Sequence, residues 1–287
     1  MKQSSPAYAK VNISLDIVSK MDNGYHNLKT VMQSVGLCDE ITIECKKGEG
    51  VFVKTSLPYI PCDERNIAIK AANAFFAFTG IKGYKTDVMI NKNIPVCAGL
   101  GGGSTDGACV IRLLDSVFNT ELDSGTMERI GSSVGSDVPF NIKGGTKLAC
   151  GKGDILTEIP KIPHCHIVIC KPQFSCSTPE LFGLVKCEKI RARPDTDGII
   201  KSLTRSDLGG IARRMYNVFE DIMPRGKQEI AEIKSLLLDN DALGAVMTGS
   251  GPAVFGLFCD KSKAQAAYQQ LNEIYPECYL SETIDPS

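Results

Sequence analysis

A glycine-rich segment from Pro95 to Thr105 holds the residues best suited to chemistry. It follows a predicted strand and leads into a predicted helix, and its glycines stand at positions 99, 101, 102 and 103. Glycines adopt positive φ and let bare backbone approach a ligand, and Ser104 or Thr105 is expected to cap the helix. The amides and the positive end of the helix dipole then converge on one point, which suits a phosphate group. A flexible linker is the simpler alternative, and the well-phased helix that follows disfavours it.

Three other nucleotide-binding motifs are absent from the sequence. A Walker A loop needs G-x-x-x-x-G-K-[ST], which no segment provides. The dinucleotide fingerprint G-x-G-x-x-G is missing because Gly99, Gly101 and Gly103 are evenly spaced. None of the three histidines begins the H-R-D motif of protein kinases. The pattern here, P-x-x-x-G-L-G-x-x-[ST], is therefore a phosphate loop of another kind.

A predicted strand near the start of the chain adds a second group of polar residues. Polar and apolar residues alternate from Ala9 to Ile17, which is typical of a half-buried strand. Lys10 and Asn12 share its polar face. Asp137 is a third candidate, although an aspartate before Val-Pro is by default a turn residue. Lys10 has a similar alternative, because it could simply face solvent.

Five segments, taken together and in this order, resemble the GHMP kinase superfamily. The resemblance runs nearly end to end, and it is closest to the members that phosphorylate a cytidyl-diphosphate alcohol. Gly24-Tyr25-His26 distinguishes those members from their relatives. The segments are residues 9–16 with 24–26, residues 63–66, residues 94–104, residues 135–140 with 144–145, and residues 247–255.

The resemblance implies phosphoryl transfer from ATP to the 2-hydroxyl of a cytidyl-diphosphate alcohol in the non-mevalonate isoprenoid pathway. Asp137 would orient or deprotonate the attacking hydroxyl, and Lys10 would stabilise developing charge beside it. Two alternatives stay open. One is a superfamily kinase for a mevalonate-like or homoserine-like alcohol, and the other is a non-catalytic nucleotide-binding or RNA-binding protein on the same scaffold.

The resemblance also implies which residues bind ATP. The glycine-rich loop would hold the phosphates, Asn66 and Lys92 would lie near the adenine, and Mg²⁺ would travel with ATP on phosphate oxygens and waters. No residue is assigned as a metal ligand. The loop residues are Pro95, Val96, Cys97, Ala98, Gly99, Leu100, Gly101, Gly102, Gly103, Ser104 and Thr105.

A separate set would bind the cytidyl-diphosphate alcohol. By resemblance, Tyr25 and Phe182 sandwich the base and His26 bonds to its edge, since aromatic stacking is worth about 1–3 kcal/mol per base. Phe182 has a serious alternative as an ordinary core residue on a helix. The remaining predicted substrate residues are Asn12, Thr178, Thr248, Gly249 and Ser250.

The order of predicted elements indicates an α+β protein, because strands and helices mix without steady βαβ alternation. Helices are expected from the apolar periodicity at 66–78, 108–118, 127–134 and 263–274, while 186–210 is expected to be charged and irregular. A boundary near residue 160 would separate an N-terminal ATP-binding domain, 1–160, from a C-terminal domain, 161–287. The resemblance implies the two-domain GHMP kinase fold, with a first lobe like the second domain of ribosomal protein S5 and a ferredoxin-like second lobe.

Composition limits the possible partners. The chain has 287 residues and a net charge of −1, which gives no general field for nucleic acid or an anionic membrane. Its 12 cysteines lack C-x-x-C spacing, so they are expected to be reduced and mostly buried. No signal peptide or membrane-spanning run is evident, which favours a cytoplasmic protein. We expect small-molecule ligands, and a monomer or homodimer.

Overall fold

A computed structural model describes residues 1–286 as an α+β protein built around two sheets, which confirms the predicted fold class. The strands are β1 (Lys2–Lys20), β2 (His26–Lys47), β3 (Val51–Thr55), β4 (Tyr84–Asn91), β5 (Thr146–Gly151), β6 (Ile155–Glu158), β7 (His166–Lys171), β8 (Tyr216–Asn217), β9 (Gly244–Met247), β10 (Val254–Phe258) and β11 (Glu277–Glu282).

The helices cover the two sheets. They are α1 (Ile67–Thr79), α2 (Gly102–Phe118), α3 (Ser124–Ser132), α4 (Val138–Lys143), α5 (Thr178–Gly183), α6 (Thr196–Thr204), α7 (Leu208–Ala212), α8 (Phe219–Ile222), α9 (Lys227–Asp239) and α10 (Lys261–Ile274), with a 3₁₀ turn at Cys187–Lys189.

The first sheet is organised by a long antiparallel hairpin of β1 and β2. Its main order is β3-β4-β2-β1-β8, and β5 also pairs with β2 and carries β6. The alternation on β1 predicts a strand correctly, but its polar face is not open to solvent. Lys10 is 3% and Asn12 1% exposed, because other segments cover that face.

The second sheet has the order β11-β7-β10-β9 and is antiparallel throughout. Its chain order, strand, helices, two strands, helix, strand, is the ferredoxin-like arrangement. β7 and β10 are almost completely buried, as their continuous apolar runs predict. Thr283 bridges to Val35 just after β11, which joins the second sheet to the first.

Two local predictions are wrong. The segment 186–210 is not irregular, since it contains the 3₁₀ turn, α6 and the start of α7. Asp195 and Asp207 cap these helices with their side chains, and buried Ile199 and Leu203 anchor α6. The second error concerns α2, which begins at Gly102 rather than near residue 108.

The hydrophobic core crosses the predicted domain boundary. Val11 and Ile13 of β1 pack in one cluster with Ile167 and Phe255 of the second sheet. All strands of the second sheet follow residue 160, yet β8 returns to pair with β1 in the first. The division into 1–160 and 161–287 therefore stays a prediction.

All twelve cysteines are free thiols, but only five are buried, so the expectation that most are buried is wrong. Cys62, Cys97 and Cys259 are exposed, because each lies outside the strands and helices. Within residues 1–286 there is no helix with the length and apolar character required to cross a membrane.

Candidate active site

Lys10 lies at the centre of the predicted site and connects three segments. Its ammonium donates to Asn12 Oδ1 at 2.7 Å and to the carbonyl oxygen of Gly99 at 3.0 Å. The same nitrogen lies 3.6 Å from Asp137 Oδ2. Its side chain is only 4% exposed, so these partners replace the water that a buried ammonium would lose. The cation is therefore held in place between the candidate base and the glycine-rich loop.

Asp137 presents its carboxylate at the surface of this cluster. It occupies the position before α4, and its carbonyl oxygen accepts from the side chain and backbone of Asn141. The side chain does not cap the helix, so the carboxylate remains available. It is 31% exposed, in contrast to the buried Lys10 beside it. A ligand hydroxyl can reach this carboxylate while the ammonium stays covered.

The glycine-rich loop folds as a turn that leads directly into α2. Gly101 has φ of 72°, precedes the helix and provides no side-chain cap. The prediction that Ser104 or Thr105 caps α2 is wrong, because the helix starts at Gly102 and both residues already lie in its first turn. Thr105 instead donates to the carbonyl oxygen of Tyr8. The first amides of the helix are thus left without a side-chain partner.

A second glycine turn, residues 247–253, packs directly on this loop. A Cβ on Gly99 would lie 2.1 Å from the carbonyl oxygen of Thr248, so only glycine allows the approach. Thr248 is fully buried, and its hydroxyl accepts a hydrogen bond from the backbone amide of Asn12 at 3.0 Å. Of the three predicted residues in this turn, Gly249 is also buried and Ser250 is half-buried.

Asn217 supports the second glycine turn, although nothing in the sequence predicts this role. Its side-chain amide donates to the carbonyl oxygens of Met247 and Gly249, both at 2.8 Å. The residue belongs to β8, a strand of only two residues that pairs with β1. So short a strand leaves no periodicity that the sequence could reveal.

The predicted base-binding residues lie towards the other end of β1, where His26 pairs with Lys20. His26 and Phe182 stack with ring centroids 5.2 Å apart, and Phe182 also meets the edge of Phe219. Tyr25 is 57% exposed. Burial and then the nearby Lys20 lower the pKa of His26, which favours the neutral imidazole, a group that can both donate and accept. His26, which is predicted to bond to the edge of the base, therefore lies against Phe182, one of the two rings predicted to stack on the base.

Thr178 joins this side to the second glycine turn. Its hydroxyl lies 2.6 Å from that of Ser250, at the start of the short helix α5. The helix also carries Phe182, so one hydrogen bond connects the aromatic group with the turn beside Gly99. The two predicted substrate-binding groups are therefore neighbours in space.

The two residues predicted near the adenine have local partners. Asn66 caps α1, accepting from the Ala68 amide and donating to the carbonyl oxygen of Pro61. Lys92 is 4% exposed and its ammonium contacts the carboxylates of Asp39 and Asp106. Neither polar group is free at the surface, and the adenine role of both stays a prediction.

No group of three or more histidine, cysteine or acidic side chains within residues 1–286 could hold a metal ion.

Comparison with known proteins adds independent evidence. The GHMP kinases N terminal domain matches residues 66–145, and the GHMP kinases C terminal domain matches residues 199–277. A 4-diphosphocytidyl-2-C-methyl-D-erythritol kinase of Clostridium botulinum (strain Loch Maree / Type A3) is 42% identical over 98% of this chain and 99% of its own length. The chain belongs to the 4-diphosphocytidyl-2-C-methyl-D-erythritol kinase family.

Further relatives support the same family assignment. The 4-diphosphocytidyl-2-C-methyl-D-erythritol kinase of Acetivibrio thermocellus is 41% identical over 98% of this chain and 99% of its own length. A crystal structure of a 4-(cytidine 5'-diphospho)-2C-methyl-D-erythritol kinase has a TM-score of 0.82 and 27% identity, covering 98% of this chain and 99% of that one. The chain is thus a kinase of the 4-diphosphocytidyl-2-C-methyl-D-erythritol kinase family.

More distant structures share the fold alone. A homoserine kinase from Cytophaga hutchinsonii has a TM-score of 0.76 at 17% identity, covering 99% of this chain and 95% of its own. An L. major mevalonate kinase in complex with R-mevalonate also has a TM-score of 0.76, at 16% identity, covering 99% of this chain and 97% of its own. The two-lobed GHMP kinase fold is therefore confirmed.

Proposed function

We propose that this protein transfers the γ-phosphoryl group of ATP to the 2-hydroxyl of 4-diphosphocytidyl-2-C-methyl-D-erythritol in the non-mevalonate isoprenoid pathway. The observation that carries the proposal is the position of Lys10. One buried ammonium touches the glycine-rich loop through Gly99 and lies 3.6 Å from the accessible carboxylate of Asp137. A phosphate-binding loop and a proton acceptor are the two parts that phosphoryl transfer to an alcohol requires.

Asp137 acts on the attacking hydroxyl. It accepts a hydrogen bond from that group, aligns the oxygen with phosphorus and takes the proton as the oxygen–phosphorus bond forms. The bond from phosphorus to the leaving oxygen breaks in the same exchange, and ADP departs with that oxygen. The side chain of Asp137 is 31% exposed and makes no helix-capping hydrogen bond, which supports this role. General base catalysis of this kind contributes roughly 10² to 10⁴ in rate.

Lys10 stabilises charge without moving. It keeps Asp137 oriented, and it brings a positive charge to the place where negative charge develops on the transferring group. Its bonds to Asn12 and Gly99 fix the ammonium before any ligand arrives. A preorganised cation of this kind needs no rearrangement at the moment of reaction.

The first turn of α2 fits the phosphates of ATP, the group that supplies the phosphoryl unit when bound. Gly102, Gly103 and Ser104 carry amides that no side chain caps, at the positive end of a 17-residue helix. Gly103 is exposed, and a Cβ there would have no neighbour closer than 3.8 Å, so the backbone is approachable. We place Mg²⁺ with the nucleotide, since the described residues offer it no side-chain cage.

The stacked pair of His26 and Phe182 supports a base-carrying substrate rather than a small alcohol. Their rings and the exposed ring of Tyr25 are candidates to contact the cytosine. The hydrogen bond between Thr178 and Ser250 connects this group to the phosphate side. A substrate with a base at one end and a hydroxyl at the other would reach from the aromatic group to Asp137.

The test is to incubate the protein with ATP, Mg²⁺ and the cytidyl-diphosphate alcohol and locate the new phosphate by phosphorus NMR. We expect equal amounts of ADP and a product phosphorylated on the 2-hydroxyl. Mevalonate and homoserine serve as comparison alcohols in the same assay. Faster turnover of either small alcohol would contradict the proposal, and so would ATP hydrolysis without a phosphorylated product.

A further inference from the structure

A buried group of three charged residues lies under the glycine-rich loop, and we name it the charge cluster: Asp39, Lys92 and Asp106. The ammonium of Lys92 contacts Asp39 Oδ2 and lies 2.9 Å from Asp106 Oδ2. The side chains are 0%, 4% and 7% exposed in that order. Buried charges are costly unless they are closely paired, so the geometry of this cluster is tightly constrained.

The charge cluster holds the chain at the entrance of the loop. Asp39 Oδ1 accepts hydrogen bonds from the amides of Asn93, at 2.6 Å, and Ile94, at 2.8 Å. These are the last two residues before Pro95. A single carboxylate of β2 therefore fixes the path of the backbone as it leaves β4.

The charge cluster also holds the exit of the loop. Asp106 belongs to the first part of α2, only four residues after the helix begins at Gly102. A Cβ on Gly102 would lie 3.3 Å from the ammonium of Lys92, so this side chain passes directly beneath the first turn. Lys92 thus connects the carboxylate at the entrance to the helix at the exit.

The charge cluster leaves one buried carboxylate oxygen unpaired. Asp106 Oδ1 is buried and has no hydrogen-bond partner. Burial raises the pKa of Asp106 to about 7, and the nearby Asp39 adds to this against the opposing effect of Lys92. Removing the ammonium would take away the group that bridges Asp39 and Asp106, so this link between the two ends of the loop would be lost.

We propose that Asp39, Lys92 and Asp106 are positioning residues that set the spacing between the two ends of the phosphate loop. They hold the loop amides in the arrangement that accepts nucleotide phosphates, without touching the nucleotide. The inference rests on the proposed function, in which this loop binds ATP. In this proposal Lys92 affects the binding of the ATP phosphates through the loop. A lysine in direct contact with the adenine would instead affect the binding of the base.

The experiment compares two lysines. Lys92→Met removes the ammonium at nearly constant length. Lys171→Met is the matched control, since the side chain of Lys171 is also buried, at 8% exposed, and is paired with one acid, Glu277 of the second sheet. Affinities for ATP and for inorganic tripolyphosphate are measured by calorimetry in both variants and the parent protein. Tripolyphosphate has the phosphates of ATP and no base.

We expect Lys92→Met to weaken the binding of ATP and of tripolyphosphate by the same factor, at least ten-fold. Lys171→Met should change neither affinity. The Michaelis constant for the cytidyl alcohol should stay within two-fold in both. If only ATP is weakened, Lys92 contacts the base and the inference is wrong. If the two lysine variants behave alike, the cluster is merely structural and the inference is also wrong.

A second variant covers the case in which Lys92→Met does not fold. Asp39→Asn keeps an oxygen for the amides of Asn93 and Ile94 but removes the charge that fixes Lys92, and it should weaken both ligands equally, by about three-fold or more. Unchanged affinities in a folded Asp39→Asn would overturn the inference. A parent protein that binds neither ATP nor tripolyphosphate would instead remove the proposed function, and the inference with it.

Discussion

The phosphate side and the base side of the candidate site are built in different ways. On the phosphate side Lys10 and Thr248 are buried, and each bonds to a neighbouring segment of the site. On the base side Tyr25 is 57% exposed and the hydrogen bond between Thr178 and Ser250 lies at the surface. The ammonium of Lys10 is therefore held by fixed partners before ligands bind, whereas on the base side the exposed ring of Tyr25 has room to adjust beside the packed His26 and Phe182.

The difference matches the chemistry proposed for each side. Charge stabilisation gains from fixed groups that exclude water, because they need no reorganisation in the transition state. Stacking on a base contributes mainly to binding, since the ring contacts the face of the base and not the reacting atoms. We therefore expect changes on the phosphate side to reduce the rate, and changes on the base side to reduce substrate affinity.

The largest effect is expected for Asp137→Asn, which removes the proton acceptor and keeps the shape. The turnover number should fall by roughly 10² to 10⁴, the usual contribution of a general base. ATP affinity should not change, because Asp137 does not belong to the loop. Steady-state kinetics and calorimetry measure the two quantities. The control is Asp154→Asn, next to Gly153, whose Cβ position lies 3.8 Å from Asp137 Oδ1. A variant with the parent turnover number would exclude Asp137 from the reaction.

Alkylation of Cys97 should produce the next largest effect. Its thiol is exposed and lies inside the phosphate loop, so an added group would obstruct the phosphates. Treatment with iodoacetamide should remove most of the activity, ATP should protect, and Cys97→Ser should resist. Cys62→Ser is the control, since Cys62 is also exposed but lies outside the loop. Equal inactivation of Cys97→Ser and the parent would refute the placement.

A smaller effect is expected on the base side. Phe182→Ala removes a ring that stacks on His26, and the Michaelis constant for the cytidyl alcohol should rise about ten-fold, within the 1–3 kcal/mol typical of base stacking. The turnover number should change by less than a factor of three. His164→Ala, an exposed histidine paired with Glu282, is the control. A collapse of turnover at an unchanged Michaelis constant would contradict the division between the two sides.

The smallest effect concerns stability and pH at Asp106. Burial raises its pKa to about 7 in the folded protein, whereas the pKa of an unfolded aspartate is about 3.9. Between these values the folded state keeps a proton that the unfolded chain has released, so the free energy of unfolding falls as pH rises. Above about 7 the loss is complete.

Asp106→Asn should remove this part of the pH dependence. Urea unfolding of parent and variant from pH 5 to 8 measures it, and the variant should gain relative stability up to about pH 7. Asp260→Asn is the control, because hydrogen bonds from Ser262 lower the pKa of Asp260 and place its titration below this range. Parallel curves for the parent and Asp106→Asn would show that Asp106 is ionised throughout.

Much of the fold could be predicted from the sequence wherever periodicity was long. The alternation on β1 and the apolar spacing of α1, α2 and α10 predicted those elements. The segment 186–210 was misjudged because its helices are short and rely on aspartate caps, and a five-residue helix such as α7 shows no clear period. The start of α2 is not evident from the sequence, because Gly102 and Gly103 have low helix propensity.

The candidate site was predictable only where local motifs carried it. Lys10, Asp137 and the glycine turns lie in recognisable segments, and the structure brings them together. No local sequence pattern marks Asp39 or Asn217. The partners that define their roles lie 53 or more residues from Asp39 and 30 or more residues from Asn217 in the chain. Long-range pairing of this kind needs the folded structure, since no local pattern records it.

The proposed function is tested most directly by the ratio of kcat/KM for the cytidyl-diphosphate alcohol to kcat/KM for mevalonate, in the parent protein and in Phe182→Ala. We expect strong preference for the cytidyl substrate in the parent, with the phosphate on its 2-hydroxyl. We also expect the ratio to fall about ten-fold in the variant through the Michaelis constant of the cytidyl substrate alone. An equal or greater activity on mevalonate in the parent protein would show that the proposed substrate is wrong.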